Sequence, residues 1–202
     1  MKNVKKLINY IENKYNNLET EKIGGKNNIR RYTKPIMSGY VENAIAILIN
    51  EVLKNQKLNY LIDSQLSIGK RQPLRPDIII YDNNNEIKGI VEVKSQLGYS
   101  GNFNSDDYNE RIKNIKIAAE KGVLSLKKEN INFKVSKKCI DLIVILMATN
   151  EHNNLEKYEK SNHYLLFKSH NKDIWYDKLS MDTVNHEEGG FDDFIKCIKN
   201  ME

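Results

Sequence analysis

Apolar residues recur along this chain with two periods, and the switches between them divide it into elements. Val4, Leu7, Ile8 and Ile11 fall at helical spacing and predict an amphipathic opening helix that ends near Asn16 and Asn17. Residues 21–35 are polar, contain Gly24-Gly25 and Arg30-Arg31 and end at Pro35, the composition of a loop. From Ser38, a natural N-cap, to about residue 54 the positions Val41, Ala44, Ile45, Ile47, Leu48, Ile49, Val52 and Leu53 are dense enough to predict a largely buried helix.

The period then shortens to two. Residues 58–68 alternate loosely and predict a strand, followed by the basic turn Gly69-Lys70-Arg71-Gln72-Pro73. Pro76 introduces a β-branched run at 77–81, and Asn83-Asn84-Asn85 reads as the turn into a third strand over 86–95. Gly, Asn and Ser at 98–104 predict a loop. Ser105 or Asp106 starts a helix that reaches about Lys121 before Gly122, with a helical or irregular stretch over 123–130. Residues 139–148 are nearly continuous in Leu, Ile and Val, the pattern of a strand covered on both faces and therefore central in a mixed or parallel sheet. Beyond it, strands are expected at 163–168 and 174–177, then a last helix carrying Phe191, Phe194, Ile195 and Ile198.

A chain of 202 residues, 40% hydrophobic and 29% charged, suits one α/β domain and excludes a multidomain motor. Its longest apolar stretches, 44–49 and 142–148, fall short of the ~20 residues a membrane-spanning helix needs. The first nine residues carry lysines but no apolar signal region, so a cytoplasmic location is expected. Cys139 and Cys197 lie far apart without metal-ligand spacing and are expected as reduced core residues. The net charge of +5 permits a nucleic-acid partner, although the excess is carried by lysine and only five arginines occur. His152, His163, His170 and His186 show no metal spacing, and the absence of a Gly-x4-Gly-Lys-Ser/Thr loop argues against an attached ATP-driven translocase.

Candidate chemistry lies in Arg75-Pro76-Asp77-Ile78-Ile79-Ile80 and Ile90-Val91-Glu92-Val93-Lys94. With a strand's side-chain period of two, Glu92 and Lys94 share one face while Val91 and Val93 share the other. Asp77, at the start of the neighbouring hairpin strand, is able to meet Glu92 across the pair. Two converging carboxylates with the Val93 carbonyl form a hard, oxygen-rich site suited to Mg²⁺, with Mn²⁺ as a substitute. An ion there acts as a Lewis acid on a phosphodiester, while Lys94 holds the attacking water and offsets developing charge. Plainer readings exist: Glu-x-Lys on a strand is also a solvent-facing charge pair, and Asp after Pro is also a turn residue.

Pro76-Asp77 followed fifteen residues later by Glu92-Val93-Lys94 resembles the motif of the PD-(D/E)xK nuclease superfamily, the fold of restriction endonucleases, and the resemblance covers about residues 38–148. It implies a restriction-endonuclease-like αβββαβ core, with a mixed central sheet flanked by helices, inside a single nuclease domain over 1–202. Residues 150–202 would then serve target recognition or dimer contacts. The implied activity is that of a metal-dependent endodeoxyribonuclease, a type II restriction enzyme cutting double-stranded DNA as a homodimer, with no membrane partner and with a cognate DNA methyltransferase in the same system. Junction resolution, repair, phage defence and a catalytically inactive DNA-binding module are the alternatives. Many members bring a glutamate from the first core helix to the metal, which adds Glu42 to Asp77, Glu92 and Lys94 as a catalytic candidate. Glu51 is its alternative, and a glutamate near a helix N-terminus is also explained by the macrodipole. Gln96, at the strand parity of Lys94, and Lys70, Arg71, Arg75, Tyr99, Asn102 and Asn104 in the flanking segments are the candidates for DNA contact.

Overall fold

The computed structural model describes residues 2–17, 29–31, 37–54, 56–69, 72–97, 105–149, 162–169, 184–185 and 190–201. Its elements are α1 (Lys2–Asn17), β1 (Ile29–Arg31), α2 (Met37–Val52), β2 (Leu58–Ile62), β3 (Ser67–Ile68), β4 (Ile78–Asp82), β5 (Glu86–Leu97), α3 (Ser105–Glu120), β6 (Leu124–Leu126), β7 (Ile131–Asn132), β8 (Lys134–Thr149), β9 (His163–Ser169), β10 (Val184–Asn185) and α4 (Phe191–Lys199). The main sheet has the order β1-β2-β4-β5-β8-β9-β10, in which five longer strands are bordered by two short ones. β2, β4 and β5 are antiparallel neighbours, while β8 runs parallel to β5 and β9 parallel to β8, so the sheet is mixed.

Strand alternation sorts the core onto the two faces of this sheet. Ile78, Ile80, Val91, Leu142, Val144 and Leu146 face α1, α2 and α4, whereas Ile79, Tyr81, Ile90 and Ile143 face α3, β6 and Phe133. The apolar stripe of α1 is spent on this packing: Val4, Leu7, Ile8 and Ile11 are all buried against the α2 side. β8 is apolar over most of its length because it is covered on both faces, as its sequence predicts. Cys139 and Cys197 are free thiols, half-buried against opposite faces.

The β4–β5 hairpin decides the registers that matter. Its turn is held by Asp82, whose carbonyl accepts the Asn85 N–H at 3.0 Å and whose Oδ1 accepts the N–H groups of Asn84 at 2.8 Å and Glu86 at 3.0 Å. Asn85 takes the left-handed φ of 59° that closes such a turn. Past a bulge at Lys88, Gly89 lies opposite Ile80. A Cβ on Gly89 would come within 3.2 Å of Ile80 Cδ1 and 2.8 Å of Met201 Cε, so a larger residue here would have to displace those two side-chain ends.

Several expectations need correction. The strand expected over 58–68 is broken after Ile62, where Asp63 adopts φ 49° and the chain leaves the ladder before forming β3. Residues 123–130 are helical only over a single 3-10 turn, Lys127–Glu129, and include a strand that was not expected. Val123 and Gly122, at φ 66°, close α3 by hydrogen bonds to Ala118 and Ala119, and the chain then forms β6 and a single 3-10 turn. α2 begins at Met37, so Ser38 lies inside its first turn instead of capping it. The polar segment 21–35 contains β1, which pairs with β2, and the central strand starts at Lys134 instead of 139. The described part of 150–202 packs into the domain, where β9 extends the sheet and Phe191, Phe194 and Ile198 of α4 are buried in the main core. The strand expected at 174–177 lies outside the described residues.

Because the Asp82 side chain accepts two main-chain hydrogen bonds in the register-setting turn, Asp82→Ala should cost about 1–2 kcal/mol. Urea denaturation should show a lower midpoint with an unchanged slope; an unchanged midpoint would mean that pairing of the strands alone holds the turn.

Candidate active site

Ile78 pairs with Val91 and Ile79 with Ile90, and one further step of this register sets Asp77 opposite Glu92. Asp77 is anchored there by the Val93 N–H, which donates to its Oδ2 at 2.6 Å. Both main-chain polar groups of a strand residue point to the same side, so the Val93 carbonyl faces β4 as well. In the parallel register with β8, Glu92 lies beside Ile143 and Lys94 beside Ile145, and these two isoleucines form an apolar wall. On the other side the Asp63 N–H donates to the Asp77 carbonyl at 2.9 Å, bringing another acid to the same level of the sheet.

α3 roofs this row. Its Arg111 donates through Nη1 to Glu92 Oε2 at 2.7 Å and to the Arg75 carbonyl at 3.3 Å, with its guanidinium carbon 5.5 Å from the centre of the Tyr108 ring. Asn162, just before β9, donates to Asn109 Oδ1 at 3.2 Å, and Lys116 pairs with Asp141 of β8 at 2.6 Å, so the helix is tied down on both sides of Arg111. Arg75 is itself paired, through Nε, with Asp63 at 2.9 Å.

Electrostatics at this point are dominated by burial. Glu92 has no solvent exposure, and its pKa is pushed up to about 9, first by burial and then by the charge of Asp77, against the pull of Arg111; Glu42 adds a smaller push. Asp77 is also raised, by burial first, with the Val93 N–H and Arg111 opposing and Asp63 adding to the rise. Tyr108 is raised by burial first and then by the charges of Asp77 and Glu92. Burial pushes both facing acids toward their protonated forms, and the charge of Asp77 pushes Glu92 further, while Arg111 contributes a positive charge. Even so, Glu92 Oε1 is buried without a hydrogen-bond partner among the described atoms.

The structure thus brings together Asp77, Glu92 and the Val93 main chain, sets the half-buried Lys94 one step along the same face, and holds Glu42 within electrostatic range of Glu92. Glu51 does not join them: it is paired with Lys6 of α1 at 2.9 Å. Arg75 stands exposed at the edge of the site. Gln96 lies on β5 opposite Met147 in the register, with its side chain outside what is described. Lys70, Arg71, Tyr99, Asn102 and Asn104 lie outside the described residues.

An all-oxygen donor set of Asp77, Glu92 and the Val93 carbonyl fits a hard divalent cation, and the orphaned Glu92 Oε1 is the atom such an ion would satisfy. Among the described residues, no three acidic, histidine or cysteine side chains close around one point. The other oxygen of Glu92 is taken by Arg111.

Arg111, Tyr108 and Asp63 were not among the residues singled out from the sequence. The signal for the first two was present: Tyr108, Arg111 and Ile115 follow one another at i, i+3 and i+7, which puts an arginine on the face that buries Ile112 and Ile115. Comparison of the chain with protein-family models, with curated proteins and with solved structures finds no match.

The raised pKa of Glu92 has a measurable sign. Unfolded, it titrates near its ordinary 4.5; folded, near 9. Between those pH values the folded state holds the extra proton, so its stability falls as pH rises, by about 1.4 kcal/mol per pH unit at most. Asp82, held below its usual range, titrates beneath this window. Thermal denaturation across the window should show the wild-type Tm declining more steeply than that of Glu92→Gln, in which the raised Asp77 alone contributes, and parallel curves for the two would refute the buried proton.

Proposed function

We propose that this chain is a divalent-metal-dependent endonuclease of the PD-(D/E)xK class that hydrolyses phosphodiester bonds in double-stranded DNA. In this reading α2, β2, β4, β5, α3 and β8 form its restriction-endonuclease-like αβββαβ core. The observation that carries it is the hairpin register setting Asp77 opposite Glu92, with Lys94 on the same face and one buried Glu92 oxygen left without a partner.

When bound by Asp77, Glu92 and the Val93 carbonyl, Mg²⁺ or Mn²⁺ would supply Lewis-acid stabilisation of charge on the phosphate. The chain's own groups do the positioning. The Val93 N–H holds the Asp77 carboxylate against β5, and the apolar wall of Ile143 and Ile145 excludes water from behind the acids. Lys94 has no hydrogen-bond or ion-pair partner among the described residues, so its ammonium is available to orient the attacking water and to neutralise charge as the phosphorus gains a fifth oxygen. Glu42, whose charge reaches Glu92, is suited to be a further carboxylate at the cation. Arg75 at the edge, with lysines elsewhere on a chain of net charge +5, suits contacts to the DNA backbone. One such site cuts one strand, and a homodimer is the simplest arrangement for cutting two. A type II restriction enzyme paired with a DNA methyltransferase is the form this activity would then take.

One observation favours a second reading. Arg111 already neutralises Glu92, and a permanent pair of that kind would suit a DNA-binding module without catalysis. Lys94→Ala separates the two. Under the nuclease reading, Mg²⁺-dependent cleavage of unmethylated DNA falls by ~10²–10³-fold. DNA binding in Ca²⁺ changes by less than about threefold, because one cation of many is removed, and stability changes by less than about 1 kcal/mol. Equal cleavage by wild type and variant would reject the role of Lys94, and absence of cleavage by wild type would favour the binding module.

A further inference from the structure

Glu92 and Arg111 differ sharply in their access to solvent: the Glu92 side chain is 0% exposed and that of Arg111 36%. The guanidinium therefore stands between the buried carboxylate and the outside, touching one Glu92 oxygen at 2.7 Å while the other oxygen has no partner. It is not held by Glu92 alone. Its Nη1 also reaches the Arg75 carbonyl at 3.3 Å, and the group lies beside the Tyr108 ring, so a resting place remains if the carboxylate contact is given up. A buried carboxylate left without compensation is strongly unfavourable, and in the absence of a metal a cation in contact with it offsets part of that cost. A divalent ion at the same carboxylate and a guanidinium in contact with it repel each other at short range through a poorly screening medium.

We infer that Arg111 is the resident counter-cation of this centre, and that a divalent ion binds at Asp77 and Glu92 in competition with the Arg111 guanidinium, which has to leave Glu92 as the ion enters. This rests on reading the site as a cation centre. It gives Arg111 a positioning role distinct from that of Lys94: it offsets the negative charge of the acids until the metal arrives.

The test is a calorimetric titration of DNA-free protein with Mn²⁺, at one pH and ionic strength, for wild type, Arg111→Met, Arg111→Gln, Asp77→Asn and Lys113→Met. Lys113→Met removes an equal charge from an exposed position of α3 and controls for net charge. Removing a competing guanidinium should tighten Mn²⁺ binding roughly tenfold or more in both Arg111 variants. Lys113→Met should stay within about twofold of wild type, as expected for a screened surface charge. Asp77→Asn should abolish binding. Unchanged or weaker binding in the Arg111 variants, with binding still lost in Asp77→Asn, overturns the competition while leaving the cation centre standing. Binding indifferent to Asp77→Asn, or absent from wild type, overturns the cation centre and the competition with it. Should the Arg111 variants fail to fold, the wild type still decides. With only five arginines in the chain, guanidinium NMR signals can be followed during addition of Mg²⁺. A shift of the Arg111 signal that saturates with Mg²⁺ supports displacement, and an unmoved signal at saturation overturns it.

Discussion

Glu92 is a carboxylate in the middle of a sheet with no exposed surface of its own, and an uncompensated charge in such a place costs several kcal/mol. Its surroundings answer that cost. Arg111 reaches down from α3 to one oxygen of Glu92, and the Val93 N–H beside it neutralises part of the Asp77 carboxylate that faces it across the hairpin. The compensation is incomplete, because one buried oxygen of Glu92 has no partner. Burial of an acid that is only partly satisfied is expensive to maintain and is typical of sites where chemistry or ligand binding completes the set.

The geometry depends on one turn and one parity. Asp82 and Asn85 fix the hairpin, the hairpin fixes which residue of β4 meets which residue of β5, and a slip of one position would turn Glu92 and Lys94 onto the α2 face. That slip is opposed by the core itself, since Val91 would exchange places with the charged residues. The same apolar packing that stabilises the sheet therefore holds two acids and an ammonium on the α3 side. Packing there is local enough that α3 needs additional ties, through Asn109 and Lys116, to keep Arg111 over the row.

How much of this was legible in the sequence follows from the range of the forces involved. The helices α1, α2, α3 and α4 and the β4–β5 hairpin rest on periodicity and turn chemistry within a few residues, and those patterns stand in the sequence as Leu7-Ile8-Ile11, Ile45-Leu48-Ile49 or Asn83-Asn84-Asn85. The shared face of Glu92 and Lys94 followed from parity alone. The break after Ile62 did not, because it depends on Asp63 bonding the Asp77 main chain and pairing with Arg75, contacts made only once β2 and β4 are side by side. β1, β6 and β7 are too short to show a period and are strands only by pairing. Arg111 lies nineteen residues from Glu92, and its helical spacing hints at burial without naming the acid it would meet.

The central claim is that Asp77 and Glu92 are the ligands of a divalent cation and that their present partners stand in for it. Crystals grown with Mn²⁺ and measured at a wavelength where manganese scatters anomalously test this most directly, because the ion's position is read independently of the protein phases. The account predicts an anomalous peak within coordination distance of a carboxylate oxygen of both Asp77 and Glu92, with the Arg111 guanidinium withdrawn from Glu92 Oε2. A manganese peak elsewhere, or none at these acids while Arg111 keeps its 2.7 Å contact, would contradict it.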